Sequence, residues 1–461
     1  MVETRSDPNW QVYDGRGWQL TPSGNQHLQR PLPGLEFSLM SYNVLSQHLM
    51  VDHPHLYQQC PPSALDWTQR GQALLAQIHS NSPDVSTAAL LLLFEVDETH
   101  YNEFFLPQLV QMGHENHVHV VQAMIIMQFD FALTNARAPF ALIGDLQLTV
   151  LVLAGYQCSY KKRTRSKKDG CALIFKSDKF ELENLVNVEF YKDEVNLLDR
   201  DNVGMIGVLR HKHMLGKQSR LLVATTHLLF KPARGDIKLA QLLVLLAEIH
   251  QLALKSPGGS NYHPVLLCGD FNSEPLSPLY KFISSGILAL DDLKCSEISG
   301  QSKFPWKGEP LQKDQLINKD IGISLNSRYE NNQGPSQTLL KACQDSDEPI
   351  PPLEQNVLKH NFKFVSAYNH MDSLGQPEIS TYHANAACTV DYIFYSVAER
   401  TTQYQYGRPI LSHLQPGELT HLASYSLPSQ TQLQPQGTLP NLIHPSDHLP
   451  LISRFIWNPT S

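Results

Sequence analysis

Short apolar runs that stop at a polar residue recur along the chain, and five of these stops carry an acid, an amide or a histidine. Phe37–Leu45 reads as a buried strand interrupted by Asn43. Residues 62–80 carry helical spacing. Ala88–Val96 is almost wholly apolar until Glu95, and Cys171–Phe175 is a further strand. Leu221–Leu228 follows, with His227 near its end. Residues 236–254 hold the best amphipathic helical pattern in the chain. That helix leads into Pro264–Cys268, a strand that halts at Gly269 and is followed by Asp270, Phe271 and Asn272. Phe362–Tyr368 and Cys388–Tyr395 come next, the latter holding Asp391, and the chain closes on His444-Pro445-Ser446-Asp447-His448. Strands interleaved with helices predict a β-rich α/β fold that delivers these polar residues to one face.

Three segments break the pattern. Residues 1–34 are polar and read as a flexible leader whose Trp10 and Trp18 dock onto the main domain. Residues 35–456 read as one domain containing two interruptions. Residues 111–154 form an atypical apolar insertion, taken as translated non-coding sequence in preference to a genuine subdomain. Residues 300–357 turn rich in Gln, Asn, Ser and Pro and read as a disordered loop.

Charge narrows the function. A net charge of -8 argues against a protein that coats nucleic acid, yet leaves room for a local basic patch. Residues 161–170 supply it, with six of the first eight basic, and phosphate contact through Arg163 and Lys168 is preferred to a solvated hairpin or an import signal. The 7 cysteines are scattered without a C-x-x-C pair, which suggests reduced thiols and a cytoplasmic or nuclear setting. The N-terminus lacks an apolar signal core, and Leu142–Leu153 is too short and polar to span a bilayer, so no membrane association is expected.

Asp270 and Asn272, two apart, would address one substrate atom if the strand ran on through them. A polar turn is the competing reading, since Asp and Asn favour turns for local reasons. Asn43 is equally open between an amide satisfied by backbone and one close to a metal or phosphate. Glu95 is better placed as a hard-cation ligand than as an unpaired charge in a strand. Acids, amides and histidine, without a nucleophilic Ser or Cys and without a Walker loop, fit metal-assisted phosphoester hydrolysis.

Taken together, Ser-Tyr-Asn43-Val-Leu, Phe-Glu95-Val, Gly-Asp270-Phe-Asn272-Ser, Val-Asp391-Tyr-Ile-Phe and Ser-Asp447-His448-Leu-Pro resemble the ordered motifs of the endonuclease/exonuclease/phosphatase superfamily. Segments such as Leu198–Gly204, Thr226–Phe230 and Arg234–Gln241 are similar to its Angel branch, related to the poly(A) deadenylases and Nocturnin. The resemblance implies a DNase I-like four-layer α/β sandwich, two packed mixed sheets flanked by helices. It implies a site using Mg²⁺, with Mn²⁺ as the alternative. Glu95 would hold the metal, with Asn43 and Asp447 beside it. Asp270 would activate water, Asn272 would hold a phosphate oxygen, and His448, oriented by Asp391, would stabilise the transition state. His227 and Asn202 would contact phosphate. The implied substrates are RNA 3′ ends carrying a 2′,3′-cyclic phosphate, with proteins of mRNA metabolism as partners. The alternatives are a 3′→5′ poly(A) exoribonuclease and a catalytically impaired RNA-associated adaptor. Two positions depart from the pattern: Phe94 stands where the superfamily commonly has Gln, and Thr225 where the Angel pattern has Asn.

Overall fold

In the computed structural model the chain is described over residues 16–80, 88–112, 156–212, 220–256, 261–316, 321, 357–372, 374–405 and 408–459. Nearly all of 111–154 and of 317–356 therefore lies outside the described residues.

Thirteen strands build two large sheets. They are β1 (Trp18–Leu20), β2 (Leu35–Asn43), β3 (Ala88–Asp97), β4 (Tyr156–Lys162), β5 (Asp169–Lys176), β6 (Phe180–Glu189), β7 (Val203–His211), β8 (Arg220–His227), β9 (Val265–Asp270), β10 (Phe364–Ser366), β11 (Asp391–Ser396), β12 (Leu419–Tyr425) and β13 (Leu451–Trp457). The first sheet has the order β1-β12-β13-β2-β3-β5-β4, and the second β10-β11-β9-β8-β7-β6. β2 and β3 pair in parallel, as do β8 and β9, and the other neighbours run antiparallel, so both sheets are mixed.

Alternation along each strand gives each sheet two apolar faces. Phe37, Leu39, Leu90, Leu92, Phe94 and Leu173 face Val223, Leu266, Cys268 and Ile393 of the other sheet in one continuous core. After the short helices α1 (Pro22–Gln29) and α2 (Gln47–Asp52), the outer face of the first sheet takes Leu74 and Ile78 of helix α3 (Trp67–Ser80), and the outer face of the second takes helix α4 (Gly235–Ala253). Helix, sheet, sheet and helix form the four layers expected. α4 was read as amphipathic, but it is buried on nearly every side, Lys238 and Gln241 included. Lys238 and Gln241 are each held by specific partners, which a pattern count does not reveal.

Two boundaries move. From Arg16 onward the leader is a structural edge: β1 pairs with β12, Arg16 Nη1 donates to Pro450 O, and Trp18 packs against Tyr425 under Arg454. The polar composition of 1–34 hid this because a short edge strand needs few apolar residues when its backbone bonds supply the attachment. Residues 301–316 are likewise placed, with Leu311 and Leu316 packed in the core around α4, so this part of the expected disordered loop is ordered, and most of the remainder lies outside the described residues.

Gly269, the last residue but one of β9, is a position that only glycine fits. Its φ is +150°, and a Cβ there would meet Thr226 O at 2.1 Å. Gly269→Ala is expected to cost about 3 kcal/mol or more, from the backbone strain and the clash together. Denaturant unfolding checks this, read as a lower midpoint with unchanged slope.

Candidate active site

The second sheet sets three polar side chains in one row. Its register places His227 on β8 opposite Asp270 on β9, and Asp270 opposite Asp391 on β11. The next rows below are Thr225–Cys268–Ile393 and Val223–Leu266–Tyr395, which descend into the inter-sheet core. The polar row is the rim of a hydrophobic face, so its charges are buried although they border the mouth.

The first sheet supplies the opposing groups. The β3–β5 register shifts between Leu93 and Val96, and Glu95 sits in this bulge with φ +54°. A bulge re-aims the side chain, and a left-handed glutamate persists only where its surroundings over-determine it. Asn43, the last residue of β2, donates from Nδ2 to Glu95 Oε1 (3.0 Å) and to Asp270 Oδ2 (3.2 Å). Its Oδ1 accepts from the Leu45 amide (3.0 Å). Asn43 therefore bridges two carboxylates as a donor, and the oxygen a cation would need is already bonded.

The loop before β13 adds His448. Its Nδ1 lies 2.7 Å from Asp391 Oδ2, an oxygen that also accepts from Ser380 Oγ (2.6 Å). Its Nε2 lies 3.8 Å from Asp270 Oδ2. Burial works against a charged His448, but the Asp391 carboxylate outweighs it and raises the imidazole pKa well above its ordinary value. His227 goes the other way. Burial, then the positive Arg163, lower it to about 3, so it is neutral, with Nε2 3.6 Å from both Glu95 Oε1 and Asp270 Oδ2.

The carboxylates are crowded. Burial first, then Asp391, push Asp270 upward; burial first, then Asp447, push Glu95 upward. Asp447 accepts from Tyr57 Oη at Oδ2 (2.9 Å), while its buried Oδ1 has no partner among the described residues. One ligand atom each from Glu95, His227 and Asp270 lies within 4.8 Å of the others, and Asp270, Asp391 and His448 form a second such group. Crowded carboxylates and an orphaned carboxylate oxygen fit a hard divalent cation, which takes oxygen ligands and offsets their charge. Glu95 and Asp270 would hold such an ion.

Asn272 is placed differently from the extended geometry expected. The strand ends at Asp270, and Asn272 has φ +47°. Its backbone amide donates to Asp270 Oδ1 (2.8 Å) and its Nδ2 to Leu228 O (3.1 Å), so the residue forms the polar turn and its side-chain donor is engaged by the protein. Asn202 is committed to protein partners: Nδ2 donates to His227 O (2.9 Å), and Oδ1 accepts from Gln241 Nε2 (3.2 Å). It positions the His227 strand end. Arg163 pairs with Asp169 at 2.5 Å beside His227, and Lys168 is exposed on the hairpin. Much of the basic loop's charge is used internally, with Arg165 on Asp201, Lys161 on Glu189, and Lys162 on three carbonyls.

Several supporting residues escape a reading of the sequence. Arg70 is buried in α3 and donates to Val44 O, Leu45 O, Gln47 Oε1 and Pro445 O, lashing the loop after β2 to the His448 loop. A charged residue within a helix that must bury one face was its only signal. Lys238 Nζ donates to Asn272 O (2.6 Å) and to Gln301 Oε1 (2.7 Å). Tyr57 carried no signal because it meets Asp447 across 390 residues, and Ser380 carried none because a lone serine outside an apolar run marks no partner.

This geometry has relatives. Residues 40–448 match the family described as the Endonuclease/Exonuclease/phosphatase family. Protein angel homolog 2 of Danio rerio is 37% identical over 427 residues, covering 92% of this chain and 65% of the relative. Its Homo sapiens counterpart is 36% identical over 432 residues, covering 91% and 69%. The chain belongs to the endonuclease/exonuclease/phosphatase family, in its Angel branch. It spans about two thirds of the length of these Angel relatives. Among solved structures it is similar to ANGEL2, described as a 2′,3′-cyclic phosphatase, in complex with adenosine-2′,3′-vanadate: TM-score 0.70, 33% identity, covering 96% of this chain and 99% of that one. A second ANGEL2 structure gives TM-score 0.69 at 35% identity, with 95% and 97% covered. The two departures from the family pattern are buried beneath the site. Phe94 fills the inter-sheet core, and Thr225 sits one row below His227 with its hydroxyl unpartnered among the described residues.

Raised carboxylate pKa values have a definite sign in stability. Folded, cation-free protein keeps protons on Asp270 and Glu95 that the unfolded chain releases near pH 4, so stability falls as pH rises above that range. In EDTA, Asp270→Asn should flatten part of this fall. Near neutral pH, Mg²⁺ should raise the melting temperature of the native chain but not that of Glu95→Gln. Differential scanning fluorimetry reads both; an equal Mg²⁺ shift in the variant would remove Glu95 from the cation site.

Proposed function

We propose that this chain hydrolyses the 2′,3′-cyclic phosphate at RNA 3′ ends to a 2′,3′-diol, with Mg²⁺ as its cation. The observation that carries the reading is the meeting of the Asp391–His448 pair with Asp270 and Glu95 at one buried mouth. Similarity to ANGEL2, described as a 2′,3′-cyclic phosphatase, over 96% of the chain supports the choice of substrate. An adaptor would gain nothing from several buried carboxylates held together at a cost in stability.

A bound divalent cation supplies Lewis-acid polarisation of a phosphoryl oxygen and favours the ionised forms of its carboxylates. The side chains do the rest. Asp270, fixed at Oδ1 by the Asn272 amide, takes a proton from the attacking water at Oδ2. His448, charged and oriented at Nδ1 by Asp391, points Nε2–H toward the oxygen on which negative charge develops. Neutral His227 offers Nε2 at the same mouth without adding charge. The reaction runs twice. Each water adds its oxygen to phosphorus, one P–O ester bond breaks, and the departing ribose oxygen gains a proton. The first round opens the ring to a monoester, and the second frees inorganic phosphate.

Full-length chain with Mg²⁺ is given RNA ending in a 2′,3′-cyclic phosphate and RNA ending in an oligo(A) 3′-hydroxyl. Release of phosphate without shortening is expected, and a ladder of AMP from the second RNA would reassign the chain to the deadenylases. Asp270→Asn and His448→Ala should each lower kcat by roughly 10²–10³ or more while leaving circular dichroism unchanged. Near-full turnover in either variant would overturn the assignment.

A further inference from the structure

Beyond the mouth, one turn presents large rings to solvent. Phe304 is 53% exposed and Trp306 61%, the rings standing edge to face at 5.7 Å. Their position is not accidental. Ser296 Oγ donates to Pro305 O (2.6 Å) and Lys294 Nζ to Trp306 O (2.5 Å), so the backbone is pinned while the rings stay out. A Cβ on Gly308 would fall 1.9 Å from Ser296 Oγ, so the turn is closed against the segment that pins it. Exposed apolar area forgoes about 25 cal/mol for each Å² it could bury, which a rigid turn built only for stability would recover.

The turn is tied to the catalytic loops. Lys238 Nζ joins Gln301 to the carbonyl of Asn272. Ser299 Oγ donates to Pro232 O, in the loop after His227, and Ser299 O accepts from the Glu274 amide. Phe304 lies three residues from Gln301, at most about 11 Å of extended chain. Charge at the turn itself points the same way: residues 301–308 carry Lys303 and Lys307 and no acid, with Glu309 and the Asp291-Asp292 pair beyond it. Lys307 Nζ lies 4.7 Å from the Phe304 ring centre, and Lys303 adjoins it in sequence.

We infer that Phe304 and Trp306, flanked by Lys303 and Lys307, form a stacking platform for the unpaired bases just upstream of the RNA end held in the catalytic mouth. Exposed rings accept base faces of any sequence, and the lysines meet the backbone phosphates, the combination used on single strands. The platform rests on the RNA reading proposed above and adds to it a preference: a single-stranded 3′ tail over an isolated nucleotide. A protein partner would favour an apolar patch without the surrounding positive charge.

The test separates binding from turnover. Binding of a fluorescein-labelled single-stranded RNA with a 3′-phosphate is followed by anisotropy in EDTA, for the full chain and for Phe304→Ala/Trp306→Ala. The double variant should bind roughly tenfold more weakly for each base stacked, Trp306→Phe should recover most of the loss, and Lys303→Ala/Lys307→Ala should lessen the salt dependence. With Mg²⁺, the double variant should raise KM for cyclic-phosphate RNA and leave kcat/KM for a nucleoside 2′,3′-cyclic phosphate unchanged. Equal RNA affinity in the folded double variant would overturn the platform, even if turnover is normal. Platform-dependent binding without turnover of any cyclic phosphate would sustain it and defeat the proposed reaction instead.

Discussion

Several carboxylates at the rim of an apolar core, close enough to repel one another, constrain everything else in this structure. Asp270 lies in register between His227 and Asp391, with Glu95 brought in from the facing sheet. Such an arrangement survives only where each charge is answered. Asn43 donates to two of the carboxylates, the Asn272 amide to one, Tyr57 to Asp447, and Ser380 with charged His448 to Asp391. What these donors leave unanswered, a divalent cation would answer. The parallel pairs β2–β3 and β8–β9 matter because they bring the ends of apolar strands to the same mouth.

Most of the scaffold was legible because its strands are apolar runs with sharp ends. The Val265–Asp270 strand, the Asp391–Ser396 strand and the Glu95 strand appear close to where their patterns put them. Their polar terminators meet at one mouth, and an acid tolerated at the edge of such a run needs a reason to be there. Other features depended on long-range contacts that no local pattern records. Arg70 reaches across 375 residues to Pro445, and Tyr57 across 390 to Asp447. The left-handed Glu95 and Asn272 were invisible for another reason: backbone conformation at a bulge or turn is decided by what surrounds it. In the basic stretch at 161–168, Lys161, Arg163 and Arg165 already hold carboxylates, which charge density in sequence does not say.

The departures from the family pattern now have physical positions. Phe94 belongs to the inter-sheet core, so the place before Glu95 is apolar support here and offers the substrate no polar contact. Thr225 lies one row beneath His227 and is fully buried. Neither removes a group from the ring of Glu95, Asp270, Asp391 and His448. The chemistry this chain can offer therefore rests on the same acids and histidine that the motifs first brought to notice, held by amides and hydroxyls that the motifs do not contain.

The central claim, that the two sheets converge on one divalent-cation centre, is tested most directly by paramagnetic broadening. Protein labelled with ¹⁵N at histidine is titrated with Mn²⁺ and its imidazole resonances are followed. The account predicts that His227 and His448 broaden first and together, and that Glu95→Gln abolishes this while exposed His53 and His55 stay sharp until Mn²⁺ is in excess. Early broadening of His53 and His55, with His227 and His448 unaffected, would contradict it.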